Sequence, residues 1–458
     1  MSVLYPLFPH HATHPDHLLA LGRWMGVAVA SPEGPLSVLE LGCAAGGNLL
    51  PMATRHPTWT VTGVDLAAHE IARGQRLARA AGAEVELRCA DVSTADDLGT
   101  HDVVVAHGLL SWVPPAVADA LLDRVGRALK PGGVAYLSYN VAQGWEHRGR
   151  LRTWLLERVG HIDDEQARVD AARSLLPEAP AEVASLAAEV AEESDAYISQ
   201  DYLAAFNHAY RYEELVEAVG RRGLVPLCDA NALSLSLGTP WHPAVQQAAA
   251  AVGDDPVARA RWHDTQQKRS FRSTVLARRD AVGERQGPRA SWLTTELRRS
   301  AGAPVYAPGP TTFSHAWGAS ATIADPAVKR LLGRLGAAWP AAVPFAELEA
   351  LLGAAALPIV TVLVASNLVH PRARRGDAPA STDRPEVPAD VRVLAAEGST
   401  WAADLHHRGR RLDDDDRRLL PLLDGTRSAA ALASALGWPR ERVARELALA
   451  HERGLRVA

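Results

Sequence analysis

Val38-Leu39-Glu40-Leu41-Gly42-Cys43-Ala44-Ala45-Gly46-Gly47-Asn48 is the stretch that decides the fold. A short apolar strand runs into a turn of small residues, and a helix is expected to start near Leu49. A turn of this kind lets the backbone approach a ligand closely. Gly42 and Gly46 remove side chains that would block the approach, and the helix N-terminus turns its positive end toward whatever binds there. Ala44 stands where another glycine is usual. The next apolar run, Thr60–Val64, ends at Asp65, about 25 residues beyond Glu40, where an acid is placed to accept from ribose hydroxyls. A nucleoside-containing cofactor is indicated.

Outward from this turn, Leu36–Leu41, Thr60–Val64, Val85–Cys89, His101–Ala106 and Val134–Tyr139 read as buried strands. Helices separate them, the clearest being Ala67–Ala81 before Gly82, and Pro115–Leu129 closed by Lys130-Pro131-Gly132-Gly133. The alternation implies an α/β, Rossmann-like, doubly wound parallel sheet over residues 1–150. Glu40 then separates cofactor classes. A carboxylate there repels a pyrophosphate but suits the cationic amino group and sulfonium of S-adenosylmethionine. Asp91 and Val92, after the third strand, are placed to accept from the adenine amino group and to pack on the ring. Glu40, Asp65 and Asp91 thus form a trio of acids at three strand ends, unless they merely cap helices. Asn48, Leu66, His107 and Gly108 complete the expected cofactor contacts.

Residues 36–140 resemble class I S-adenosylmethionine methyltransferases. More narrowly, VLELGCAAGGNLLPMA from Val38, AHGLLSWVP from Ala106 and VAYLSYN from Val134 are similar to bacterial protein-lysine methyltransferases that carry a methyltransferase regulatory domain. YISQDYL (Tyr197–Leu203), Tyr212–Leu224 and KRSFRSTVL (Lys268–Leu276) resemble that regulatory domain. The resemblance implies a protein or peptide acceptor. Two departures touch it: Val141-Ala142-Gln143-Gly144-Trp145 lacks a family tyrosine, and Gln200-Asp201-Tyr202-Leu203 lacks a family histidine. A ribosomally made natural-product peptide is therefore a specific candidate acceptor. The sequence is also compatible with a small-molecule acceptor and with a non-catalytic S-adenosylmethionine-binding regulator.

Methyl transfer from a sulfonium needs an aligned nucleophile and exclusion of water rather than an elaborate triad. The strand ends offer His107 as a general base with a pKa near neutrality, or as a cofactor-orienting group, and the polar pair Tyr139 and Asn140. Trp112, Trp145 and Tyr202 are expected to close the pocket, although Trp112 also suits an anchor for the helix that follows Pro114. Tyr5, His10 and His14 suit either an N-terminal lid or an ordinary surface. Basic residues from Arg259 to Arg279 suit either a peptide-docking face or a solvated helix face. Asp413–Asp416 lacks metal-ligand spacing and reads as a helix cap, so no metal is assigned.

Beyond 146 helical patterns dominate, with Arg148–Val159, Asp164–Leu175, Ala181–Glu193 and Tyr212–Arg222 as candidates. A mostly helical regulatory or substrate domain is expected over 151–285. Val225–Leu237 is a strand or a connector, with helices around 243–252 and 255–268. The segment 281–312 reads as a linker or extended arm, and 371–390 as a flexible joint. Winged-helix-like units are expected over 286–380 and 381–458. At 458 residues several domains are required. The net charge of −5 provides no basic field, which argues against nucleic-acid binding. Three scattered cysteines suggest neither disulfides nor a zinc site, and fit a cytoplasmic location. The apolar run 354–366 is too short for a bilayer span, so no membrane insertion is expected. A homodimer is one oligomeric option.

Overall fold

A computed structural model describes residues 5–231, 247–248, 250–299, 309–315, 320–376 and 384–455. The helices and strands that position the site are α1 (Pro15–Trp24), β1 (Ser37–Leu41), α2 (Leu49–Arg55), β2 (Thr60–Asp65), α3 (Ala68–Ala81), β3 (Glu86–Cys89), β4 (His101–Ala106), α4 (Pro115–Ala128), β5 (Leu129–Asn140), α5 (Ala142–Val159), β6 (Leu224–Asp229) and β7 (Phe271–Arg278). Seven strands form one sheet in the order β3-β2-β1-β4-β5-β7-β6. β1 to β5 are parallel, and β7 runs antiparallel to both β5 and β6.

Alternate residues of the central strands enter two cores, one on each face. Val38, Val61, Val103, Tyr136 and Val275 face α1 and α2, while Leu39, Val64, Val104, Leu137 and Leu276 face α4. Strands buried on both faces read as continuous apolar runs, which is why the sequence shows them clearly. Gly82 ends α3 in the left-handed conformation at φ 63°, as its position implies. The strand order reverses between β1 and β4, so a crevice opens beyond their carboxyl ends.

The sheet crosses the expected boundary at residue 150. β6 and β7 come from residues 224–278, so the sheet is mixed rather than parallel, and KRSFRSTVL supplies the strand beside β5. Between them, α5 packs with helices Glu165–Leu175 and Ala184–Ala191 and with the turn Ile198–Tyr202 around Leu151, Leu155, Val169 and Ile198. α5 begins at Ala142 rather than Arg148, so the altered segment 141–145 is the first turn of a helix. Residues 232–237 of the expected strand or connector lie outside the described residues, as do 243–246 and 249 of the helix expected around 243–252.

The segment 281–312 is no linker in its described part. Trp292–Thr294 is the central strand of a three-stranded sheet, between Val343–Pro344 and His370–Arg372, and Leu293 and Leu297 are fully buried. The joint expected at 371–390 is likewise structured at both ends: Arg372 is buried against Asp16, and Val387 belongs to the C-terminal core. Its middle, 377–383, lies outside the described residues. Phe345–Ala365 is a longer apolar helical stretch than 354–366 and is long and apolar enough to cross a membrane. It breaks at Gly353, and Phe345, Leu348, Ala356 and Val360 bury in the core.

Residues 384–455 fold as helices Ala389–Ala396, Asp414–Leu419, Ala429–Leu436 and Arg440–Glu452 around the hairpin Trp401–Ala403/Gly409–Arg411, a winged-helix arrangement. Asp413 caps its helix, accepting from the Asp416 N–H at 2.9 Å while Asp416 accepts from the Asp413 N–H. This unit docks on the sheet domain through a buried ion pair. Asp390 accepts from Arg55 Nη2 at 2.8 Å and from Thr54 Oγ1 at 3.0 Å. Removing one partner of such a pair strands a buried charge, which costs about 3–5 kcal/mol. Cys43, Cys89 and Cys228 are all free.

Candidate active site

A cavity of about 720 Å³ lies beyond the carboxyl ends of β1, β2, β4 and β5, at the reversal of strand order. Glu40, on β1, is 3% exposed and lines it. Its Oε1 accepts from Asn48 Nδ2 at 3.0 Å, while Oε2 is buried with no partner. Burial pushes the carboxyl up to about 8, Asn48 opposes the rise, and Asp65 adds to it. A buried carboxylate oxygen without a donor is costly, and a ligand cation resolves the cost. The donor-free oxygen fits the amino group or sulfonium of S-adenosylmethionine.

Asp65, at the end of β2, accepts backbone N–H groups from both sides of the crevice: Ala44 at 2.8 Å and Ala67 at 2.8 Å. Ala44 sits in the left-handed region at φ 46°, a strained conformation for alanine that this hydrogen bond braces. Each carboxylate oxygen keeps a lone pair for a ribose hydroxyl. Gly42 also faces the cavity, at φ 80°. Gly46 serves the turn instead, since a Cβ there would press on Leu87.

The roof is built from both ends of the chain. Tyr5, Leu7, Phe8 and His10 line the cavity. Tyr5 N–H donates to Glu70 Oε1 at 3.0 Å, and His10 N–H to Asn48 Oδ1 at 3.0 Å. A Cβ at Gly47 would fall 2.7 Å from Leu7 Cα, so the lid lies directly on that glycine. From the winged-helix unit, Trp401 lines the cavity and meets Phe8 edge-on with ring centroids 4.9 Å apart. His407 Nε2 lies 2.7 Å from Asn48 Oδ1. Asn48 therefore joins lid, winged-helix unit and Glu40. His14 belongs elsewhere: it caps α1 and lines a different cavity.

At the acceptor end, His107, Gly108, Trp112 and Asn140 line the cavity with Phe271 of β7. His107 is no base with a near-neutral pKa. Burial, with the His10 ring tilted against it at 3.7 Å between centroids, holds it well below 6.5. Its Nδ1 lies 3.0 Å from the Tyr136 hydroxyl, which donates to Ser273 on β7. Asn140 is 3% exposed, and its Nδ2 has no partner.

Several expected residues lie outside the cavity wall. Tyr139 points to the opposite face of β5 and packs against Tyr210, because residues alternate along a strand. Tyr202 is fully buried and accepts from Arg148 Nη1 at 3.1 Å. Trp145 stands behind Trp112, edge to face at 5.6 Å. Asp91 Oδ1 accepts from the Ser93 N–H and hydroxyl, both at 2.7 Å, and Val92 packs in the core; neither is among the residues that line the cavity. Leu66 does line it, 69% exposed.

Beside Tyr202, its neighbours Gln200, Asp201 and Ala204 reach the site. Asp201, on the wide turn Ile198–Tyr202, lines the cavity, and burial raises its carboxyl to about 6 against the pull of Arg148. The segment was visible as a departure from the family pattern, but only the turn's geometry shows which side chain faces in. Phe271, Trp401 and His407 also escaped the sequence, since their approach depends on packing between units distant in the chain.

Residues 38–133 match the methyltransferase-domain family, residues 194–278 the family described as a predicted methyltransferase regulatory domain, and residues 383–455 the family described as PKMT, C-terminal winged helix domain. An uncharacterized protein of Rickettsia prowazekii is 31% identical over 292 residues, 61% of this chain and 52% of its own length. A second from the same organism is 26% identical over 234 residues, 48% of this chain and 93% of its own. The chain thus spans about half the length of the first of these relatives. PKMT2 from Rickettsia typhi superposes with a TM-score of 0.82 over 99% of this chain and 100% of its own, at 19% identity, and has also been solved in complex with AdoHcy. At that identity the likeness shows a shared fold.

Proposed function

We propose that this chain, which carries a class I S-adenosylmethionine-dependent methyltransferase domain with regulatory and winged-helix units, methylates an amine on a protein or peptide. One observation carries the reading: a single cavity joins the donor-free Glu40 carboxylate oxygen at one end to Asp201 and an aromatic wall at the other. When bound, S-adenosylmethionine supplies a methyl group on a sulfonium. Glu40, Asp65 and Asn48 hold and orient it. Trp112 and Phe271 offer π faces to a cationic amine, and Asn140 Nδ2 is a free donor for a backbone carbonyl of the acceptor. Asp201 takes the proton that an alkylammonium must lose before its lone pair attacks. The roof of Phe8 and Trp401 excludes water. The regulatory and winged-helix units supply surface for a polypeptide, in keeping with the fold shared with PKMT2.

Lysine-containing peptides and free lysine, each offered with methyl-labelled S-adenosylmethionine, test the acceptor. Label in the peptide supports the reading, and label only in free lysine overturns the polypeptide part. Turnover is expected to rise with pH through about 6 as Asp201 ionises. Asp201→Asn should lower kcat by roughly 10²–10⁴-fold, the usual contribution of a positioned base. An unchanged kcat removes Asp201 from this role.

A further inference from the structure

A second cavity, about 360 Å³, opens where α2 meets the winged-helix unit. Arg55, Arg372, Arg374, Arg375 and Arg392 all line it, and Glu386 is the acid among its lining residues. Among the described residues, three carboxylates serve these five guanidinium groups. Asp390 holds Arg55 at 2.8 Å, Asp16 is shared by Arg372 at 2.5 Å and Arg374 at 3.8 Å, and Glu386 lies 3.9 Å from Arg392. Counted over the described residues, the cluster keeps a surplus of two positive charges. Arg375 is exposed and has no carboxylate partner among the described residues.

Two further features mark a site built for an anion. Arg372 is 4% exposed, yet its Nη1 is buried without a partner, a guanidinium donor left open in a packed wall. A buried donor of this kind is costly unless something accepts from it. Helix Ala389–Ala396 begins at the same cavity, with Pro388 and Ala389 in the wall and no side chain capping its first turn. Its leading N–H groups add to the positive field. His14, His56, His406 and His407 also line the cavity. Burial first, and the charged and histidine neighbours second, keep these rings neutral, so they remain hydrogen-bonding groups without adding charge.

We infer that this cavity binds a small molecule bearing a phosphate monoester, with the dianion held by Arg372, Arg375 and Arg392. The surplus of two charges matches a phosphate dianion, and planar guanidinium forks suit its oxygens. The volume lies at the low end of ligand pockets, room for a phosphate on a small organic group rather than for a length of folded polypeptide. The site does not rest on the methyltransferase reading, since its ligand is held by other residues.

Calorimetric titration of the full chain at fixed ionic strength tests the inference. The probes are inorganic phosphate, glycerol phosphate, acetate and a phosphoserine peptide. Glycerol phosphate should bind at least tenfold more tightly than acetate. Arg375→Glu should weaken that binding at least tenfold with the thermal midpoint unchanged, and Arg392→Gln should weaken it severalfold. Equal binding of acetate and glycerol phosphate overturns the site, as does phosphate binding that neither substitution alters. Tight binding of the phosphopeptide alone overturns the small-molecule assignment.

Discussion

The two cavities have opposite chemistry and share one short helix. At the N-terminal end of α2, Asn48 faces a pocket walled by Glu40, Asp65 and Asp201, and at the other end Thr54, Arg55 and His56 face a cleft walled by arginines. Seven residues of helix separate them by about 10 Å. The polarity suits the helix, whose positive end faces the acids and whose negative end faces the guanidinium groups. The winged-helix unit closes both, through Trp401 on one side and Arg392 and His407 on the other. Placing opposite charges at the two ends of one rigid element lets each pocket select its ligand by sign while both depend on the same docked unit.

The largest effect should come from the acid side. Glu40→Gln keeps the shape and removes the charge, and cofactor affinity should fall roughly 10- to 100-fold, the worth of a hydrogen bond to a charged group. In the empty wild-type protein the carboxyl is protonated below about pH 8, so taking up a cation expels a proton. Affinity should therefore rise with pH toward about 8, by at most tenfold per unit, and flatten above it. The same raised pKa makes the empty protein lose stability as pH climbs from the ordinary carboxylate range through about 8, and the cofactor should restore it. Calorimetry in buffers of different ionisation enthalpy reads the released proton. A pH-independent affinity in the wild type would break the contrast between the two pockets.

A smaller effect should follow from cutting the tie between them. His407→Ala removes the contact to Asn48, and cofactor binding should weaken severalfold, in line with about 1 kcal/mol for one neutral hydrogen bond. His407 holds φ 60°, so alanine also brings backbone strain, and His407→Asn, which tolerates that region, is the control. Equal loss in both variants assigns the effect to the hydrogen bond, and loss in alanine alone assigns it to the backbone. The smallest effect belongs to Asp413→Ala, which lines neither cavity. It should lower the thermal midpoint through about 1 kcal/mol of lost capping and leave cofactor affinity unchanged.

The parallel strands and the glycine turn were legible because each is written in consecutive residues. A buried strand is an apolar run, and a close approach to a ligand needs glycine where it occurs. Glu40 was legible for the same reason, since its place before Gly42 fixes its direction. Tyr139 was misplaced by one residue of strand alternation, which decides whether a side chain enters the cavity or the opposite core. Asp201 was hidden because a turn of five residues shifts the usual helical register, so Tyr202 rotates inward to the core and its neighbour faces the ligand. β7 was read within a helical domain because its sheet partner, β5, lies more than a hundred residues earlier. The arginine cleft left only a partial trace: Arg372, Arg374 and Arg375 stand together in the sequence, but Arg55 and Arg392 join them from two other stretches of chain.

Phe8 rests on Gly409, where any Cβ would strike its ring. During synthesis, the residue that covers the pocket leaves the ribosome some four hundred positions before the one that presses it down. Until the hairpin around Gly409 has emerged and docked, the nascent sheet domain lacks this ceiling over its pocket.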